Sequence, residues 1–174
     1  MDWTKTLTDV IDMRSFSNIW YWIILAVVWS TQSHWVIGVP FDMIVRARRS
    51  GGEAYDDLCD LVRVNVDRIL YIGRVSGLWL VGFTMFMMTG LAVLAFWYRI
   101  EIAQAIILIA LPLCLVGVLS LSTARLIRTE EPEGAQLFRR LMRHRFWTQM
   151  IGVLSIFVTA MFGMYHNLAV VPGF

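Results

Sequence analysis

Residues 77–121 read GLWLVGFTMFMMTGLAVLAFWYRIEIAQAIILIALPLCLVGVLSL, and this stretch decides the fold. It contains two apolar runs, 77–98 and 102–121, which are separated only by the turn Arg99-Ile100-Glu101. Each run is long enough to cross a bilayer as a helix, which takes about 20 apolar residues. The stretch therefore predicts a membrane-embedded helical hairpin. Pro112, at the centre of the second run, predicts a kink whose freed carbonyl is covered by neighbouring helices.

Two further apolar runs, 18–40 and 147–168, flank this hairpin. Hydrophobic residues make up 58% of the 174-residue chain, whereas about 45–50% is usual in soluble domains. The four runs predict an all-α integral membrane four-helix bundle that forms one domain over residues 1–174. Residues 1–17 predict a short amphipathic helix in the membrane interface, with Trp3 at headgroup level.

Most of the cationic residues lie in the two segments 41–76 and 122–146, which hold six each. The remaining three cations are Lys5, Arg14 and Arg99. Because cytoplasmic segments of membrane proteins carry an excess of Lys and Arg, we expect both segments in the cytoplasm, as amphipathic helices. Both chain ends are then expected on the opposite, non-cytoplasmic side.

Segment 53–73 combines charges with apolar residues at helical spacing, which predicts an amphipathic helix. Two alternatives are open for it: the helix lies on the membrane, or it feeds directly into the next span. Its alternating acidic and basic residues form a candidate docking face for a cytosolic partner. The same alternation argues against nucleic-acid binding, which favours a basic stripe with little acid.

Small residues predict where the spans touch, because lipid supplies no hydrophobic drive between helices and close backbone approach is needed instead. They recur every four residues in the first span and every three or four in the last. The predicted packing residues are Ala26, Ser30, His34, Gly38, Gly152, Ser155, Thr159 and Gly163. Such faces suit a compact bundle, a homo-oligomer or docking against a larger membrane complex.

His34 is the strongest candidate for chemistry inside a span, and it follows the polar run Ser30-Thr31-Gln32-Ser33. Ionisable residues inside a membrane are functional candidates. Three interpretations are open: an interhelical hydrogen-bond cluster, which is favoured, proton or quinone handling, and haem or metal ligation. Met85, Met87 and Met88 are expected at a similar depth, so depth allows a histidine–methionine axial pair.

The other two histidines are expected to have different surroundings. His166 lies about 20 Å from His34 along the membrane normal at 1.5 Å rise per residue, so the two cannot share a haem. His144 lies among arginines, where we expect it to be solvated or to contact a lipid phosphate. Cys59 and Cys114 are separated by the predicted topology, and no metal-ligand spacing is present. No cofactor is expected.

The arginines near the predicted membrane surface are expected to contact anionic headgroups, at about 1 kcal/mol per charge. No Gly-rich phosphate loop, serine triad or zinc-protease motif is present, so no catalytic residue is predicted and enzyme activity is not expected. The predicted headgroup contacts are Arg46, Arg48, Arg49, Arg139, Arg140, Arg143 and Arg145.

Two stretches, MRSFSNIWYW at 13–22 and SHWVIGVPFD at 33–42, carry a family resemblance. They resemble a small family of bacterial inner-membrane proteins often labelled "component of SufBCD complex". The resemblance implies a bacterial inner membrane and an accessory role beside cytosolic iron–sulfur assembly machinery. Cys59 is the only cysteine on the predicted cytoplasmic side, which is too few to carry a cluster alone.

These patterns favour a non-enzymatic accessory, assembly or scaffold subunit of the inner membrane that packs against itself or a larger complex. The first alternative is a small channel or carrier with a polar path near His34. The second is a membrane redox subunit that binds haem or quinone.

Overall fold

The computed structural model describes Phe16 and residues 18–170, with side chains as far as His166. The helix predicted at 1–17 lies outside the described residues apart from Phe16. The fold is mostly helical, as predicted, and three helices are long and apolar enough to cross a membrane. The elements in order are α1 Ile19–His34, β1 Trp35–Val36, β2 Val39–Pro40, α2 Phe41–Ser50, α3 Glu53–Val75, α4 Gly77–Ala92, a π-helical turn Val93–Trp97, α5 Glu101–Glu130 and α6 Gly134–Val170.

The predicted hairpin is built by α4, the π-helical turn and α5. Arg99 adopts a φ of 54° and reverses the chain between the two helices. The side chain of Gln104 donates from Nε2 to the Ala95 carbonyl at 2.8 Å, which satisfies a backbone group inside the π-helical turn. Helix α5 then continues through Pro112, so this proline does not end it.

Helices α5 and α6 extend well beyond the predicted spans and run through most of 122–146. Helix α5 ends because Glu131 adopts a left-handed φ of 41°, and α6 begins at Gly134. Both extensions stay helical because each buries an apolar stripe at helical spacing. The buried residues of these stripes are Ala124, Ile127, Leu137 and Leu141.

The first apolar run does not stay helical throughout: α1 ends at His34, so the prediction of one helical span over 18–40 is wrong at its C-terminal end. Strands β1 and β2 follow as a small antiparallel hairpin. Its turn residues Ile37 and Gly38 both have positive φ, 54° and 76°, a combination that matches the twist of paired strands. Asn65 holds the turn by donating from Nδ2 to the Gly38 carbonyl at 3.3 Å.

Much of the two segments predicted as cytoplasmic packs together with the strand hairpin that ends the first apolar run, and we call this unit the cap. It comprises β1, β2, α2, α3, the end of α5 from Ala124 and the start of α6 as far as Leu141. Helix α3 leads into α4 with only Ser76 between them. Of the two alternatives for segment 53–73, this agrees with a helix that feeds directly into the next apolar helix. The core of the cap consists of Val36, Ile37, Val39, Ile44, Ala47, Leu58, Val62, Val66, Ala124, Ile127, Leu137 and Leu141.

The apolar helices outside the cap pack unevenly. Helices α5 and α6 lie side by side, α1 packs against α6, and α4 lies along α5. Helix α6 buries a row of small residues, including Thr159 at 0% exposure. Between Gly77 and Ala92, all of which the structure describes, no residue is buried.

Candidate functional site

A polar recess lies where the last turn of α1 approaches α6. Its volume is about 420 Å³. Helix α1 supplies hydroxyl groups and an imidazole, because residues three and four apart share one helix face, and α6 supplies a guanidinium. The recess is lined by Ser30, Thr31, Ser33, His34, Trp35 and Arg145.

Arg145 is held in place on one side of this recess. Its guanidinium carbon lies 3.3 Å from the centroid of the Phe41 ring, a cation–π contact that the first residue of α2 provides. Its Nε is enclosed and has no hydrogen-bond partner among the described residues. The recess therefore has one positioned cation whose remaining donors can meet a ligand.

His34 itself is exposed, and its ring lies edge-on to Trp35 with 5.9 Å between the ring centroids. The Ser33 hydroxyl donates to the Trp29 carbonyl of its own helix at 2.8 Å. Within the part of the chain that the structure describes, no hydrogen bond joins the His34 side chain to another helix. Among the described residues, the favoured interpretation, an interhelical hydrogen-bond cluster, is therefore not observed at His34.

The recess can bind a polar group, and none of its described lining residues is a carboxylate. Guanidinium and hydroxyl donors suit an anionic headgroup. Among the described residues, no cluster of three His, Cys, Asp or Glu could hold a metal ion. The methionines considered as haem ligands do not line the recess: Met85, Met87 and Met88.

His144 is only 3% exposed, so the expectation that it is solvated or meets a lipid phosphate is wrong. Its Nδ1 lies 3.2 Å from the Thr123 hydroxyl on α5. Burial lowers the pKa of His144 to about 4, so the imidazole is neutral at pH 7. Its helical spacing from Leu137 and Leu141, both buried, is the signal that places it on the inner face.

The predicted packing row of α6 lies between helices, and each of its residues is buried. At Gly152 the approach is closest, since an added Cβ would lie 2.7 Å from Cε3 of Trp29 on α1. At Gly163 an added Cβ would lie 3.3 Å from the Phe16 ring. Ser155 and Thr159 continue the row between these two glycines.

Helix α1 meets this row with large side chains, Tyr21, Leu25 and Trp29. A groove of small residues on one helix is filled by a ridge on its neighbour, so the small-residue rule applies to α6 and not to α1. The residues predicted to form the packing face of the first span are exposed within this chain: Ala26, Ser30, His34 and Gly38. Gly38 lies after α1, in the turn of the strand hairpin, where an added Cβ would lie 2.8 Å from Oδ1 of Asn65. Contacts of these residues with another chain stay a prediction.

The far end of α6 holds a carboxylate–imidazole contact that the sequence did not predict. Glu101 Oε1 accepts from the Phe16 backbone N–H at 3.0 Å, and its Oε2 lies 4.0 Å from His166 Nδ1. Helix α6 rises about 30 Å from Arg145 to His166 at 1.5 Å per residue. His34, which lines a recess with Arg145, is therefore far from His166.

The arginines predicted to contact headgroups have three kinds of surroundings. Arg140 pairs with Glu130, and Arg145 lies in the polar recess. The others are exposed on the cap or at the start of α6: Arg46, Arg48, Arg49, Arg139 and Arg143.

Comparison with known proteins finds no relative: no protein-family model, no curated protein and no solved structure matches this chain. Function is therefore inferred from three features of the chain itself. These are the polar recess, the packed cap and helix α4, which has no buried residue from Gly77 to Ala92.

Proposed function

We propose that this chain is a non-enzymatic accessory, assembly or scaffold subunit of the bacterial inner membrane that packs against itself or a larger membrane complex. Helices α1, α4, α5 and α6 would all cross the membrane, with both chain ends outside and the cap in the cytoplasm. The charge distribution supports this orientation, because 41–76 and 122–146 hold twelve cations and the rest of the chain three.

Helix α1 is the shortest of the four proposed spans. Its 16 residues are about 24 Å long, against about 30 Å for the hydrocarbon core. Trp20 and Trp35 lie near its two ends and are both exposed, as suits residues at headgroup level. Modest local thinning of the bilayer would cover the remaining difference.

The observation that carries the proposal is that helix α4, described over its whole length, has no buried residue. Leu78 is 87% exposed, Trp79 83% and Phe86 68%. One edge of α4 contacts α5, and the rest of its surface is free to meet lipid or another helix. Only Leu91 and Ala92, at the end of α4, pack against a buried cluster of the described residues, so most of the helix surface is available for assembly.

Two glycines on α4 indicate that another helix approaches it closely. Gly82 and Gly90 lie on one face, with Phe86 between them at four-residue spacing. A Cβ at either glycine would meet no described atom within 4 Å. Glycine in a helix interior lowers helix stability by about 1 kcal/mol relative to alanine. In return, a missing side chain leaves space in which a second helix can approach. This face fits a transmembrane helix of a second copy or of a partner subunit.

Helix α3 provides a second contact surface, on the outer face of the cap. Its exposed ion pair between Arg63 and Asp60, at 3.0 Å, adds little to stability, which leaves these charges available to a soluble partner. A cytosolic partner at 53–73 is therefore part of the proposal. The exposed charges of this face are Asp56, Asp57, Asp60, Arg63, Asp67 and Arg68.

The two rival functions, a channel or carrier and a haem or quinone subunit, both depend on His34. The variant His34→Gln separates them from the proposal, because an amide neither titrates near pH 7 nor ligates haem well. We expect this variant to fold and assemble like the unmodified chain. A folded variant that has lost ion flux in liposomes or a Soret band would overturn the accessory role.

Purification in mild detergent, with the mass and partners of the complex measured, tests the proposal directly. We expect Gly82→Leu and Gly90→Leu to lower the associated fraction, because each fills the space that the missing side chain leaves on α4. Gly117→Leu is the matched control, since Gly117 is an equally open glycine on α5. A monomeric unmodified chain, or equal losses in all three variants, would contradict the proposal.

A further inference from the structure

A cleft between the last turns of α3 and the end of α5 brings three arginines together. Its volume is about 310 Å³. Arg74 comes from α3, and Arg125 and Arg128 come from α5, where three-residue spacing puts them on one face. None of the three was among the residues predicted to contact headgroups.

The floor of this cleft is apolar and depends on a close helix contact. Leu70, Gly73 and Leu121 form it. A Cβ added at Gly73 would lie 3.2 Å from Cδ1 of Leu121, which is tighter than an ordinary contact. Glycine at this position therefore lets α3 and α5 approach, and the approach brings the arginines of the two helices to one opening.

The charges of the cleft are only partly compensated. Arg128 lies 3.6 Å from Asp67, whereas within the described residues Arg74 and Arg125 form no ion pair. All three arginines are exposed. Like charges held in one cleft repel each other, and a bound anion relieves that repulsion. Guanidinium groups favour phosphate in particular, because their planar donors bind two of its oxygens at once.

The position of the cleft along the helices indicates where the phosphate comes from. Arg74 lies three residues before Gly77, at which the apolar helix α4 begins. Arg125 is the first charged residue after the uncharged stretch 102–124. Both cations thus lie at the boundary between apolar and charged chain, where lipid headgroups meet a membrane protein. Leu121, the last residue of the apolar run 102–121, lies at the same boundary.

We propose that this three-arginine cleft binds the phosphate group of an anionic phospholipid, with Leu121 against the start of an acyl chain. Basic pockets between membrane helices on the cytoplasmic side recognise anionic headgroups in this way. The proposal requires that α4 and α5 are embedded in a membrane, but it does not depend on association through α4.

The test uses the full chain in nanodiscs of phosphatidylcholine containing phosphatidylglycerol, with retained lipids counted by native mass spectrometry. We expect preferential retention of phosphatidylglycerol, and about fivefold weaker retention in each of Arg74→Gln and Arg125→Gln, which follows from the usual contribution of one charge near the surface. Arg68→Gln is the control, because Arg68 is exposed on α3 but does not line the cleft. Its retention should be unchanged.

Three results would overturn the proposal. Undiminished retention in the Arg74→Gln, Arg125→Gln double variant would show that the cleft is not the site. An equal loss in Arg68→Gln would show a general charge effect. Displacement of phosphatidylglycerol by excess inorganic phosphate would show a soluble phosphate ligand instead of a lipid. Because these variants change exposed side chains, a normal helical content by circular dichroism is expected for all of them.

Discussion

The more apolar of two regions, helix α4, is the less tightly packed one, and the more charged region, the cap, contains a buried core. The cap is rich in charge, yet Ile44, Leu58 and Leu141 are each 0% exposed within it. Helix α4 is apolar along its length, yet no residue from Gly77 to Ala92 is buried. Hydropathy reports the solvent that a helix meets, lipid or water, and not the amount of protein packed against it. Periodicity within a charged segment is the better signal of a core.

The largest expected effect comes from a cavity in the cap. We expect Leu58→Ala to destabilise the folded chain by about 3 kcal/mol, since deleting a fully buried leucine costs about 2–5 kcal/mol. Leu78→Ala on α4 is the control, with a change within about 0.5 kcal/mol. Chemical unfolding in detergent measures both. If Leu78→Ala proved as costly as Leu58→Ala, the contrast between cap and α4 would not hold.

A smaller effect is expected where α1 meets α6. Gly152→Ala places a Cβ 2.7 Å from the Trp29 ring, so Trp29 must move, at a cost of about 1–3 kcal/mol. Gly117→Ala is the control, because Gly117 has open space on α5 and alanine favours a helix. Thermal unfolding in detergent compares the two variants. A Gly152→Ala variant that melts at or above the control would mean that this contact is loose.

The third effect is a dependence of stability on pH, from His144 beside the cap core. Burial lowers its pKa in the folded chain from 6.5 to about 4. Between these pH values the unfolded chain binds more protons, so stability falls as pH drops, by at most about 1.4 kcal/mol per pH unit. Unfolding measured from pH 7 to pH 4.5 should show this slope, and His144→Gln should flatten it. An unchanged slope in that variant would show that another group titrates.

The sequence predicted the apolar stretches of α4, α5 and α6, the charged segments and the row of small residues on α6. These features depend on local composition: 20 apolar residues in a row, clusters of arginine, and small residues such as Gly152 and Gly163 at helical spacing. Each acts through its own helix, so no knowledge of a neighbouring element is needed. A fourth span formed by α1 stays a prediction.

The sequence did not predict the hairpin after α1, the burial of His144 or the contact face of α1. Each depends on a partner from elsewhere in the chain. Val36 and Val39 lie in the strand hairpin and pack in the core of the cap. The Trp29 ring packs against α6 at Gly152, where no side chain is in the way. Arg74 and Arg125 likewise share a cleft only because Gly73 lets two helices approach.

The central claim is that the cap lies in the cytoplasm and that four helices carry both chain ends to the other side. Fusing a reporter that is active only outside the cytoplasm tests it directly, at the N-terminus, at Gly134 and at Phe174. We expect activity at both ends and none at Gly134, because the arginines of the cap hold it inside. Activity at Gly134 would reverse the orientation, and an inactive N-terminal fusion beside an active Phe174 fusion would show that α1 does not cross.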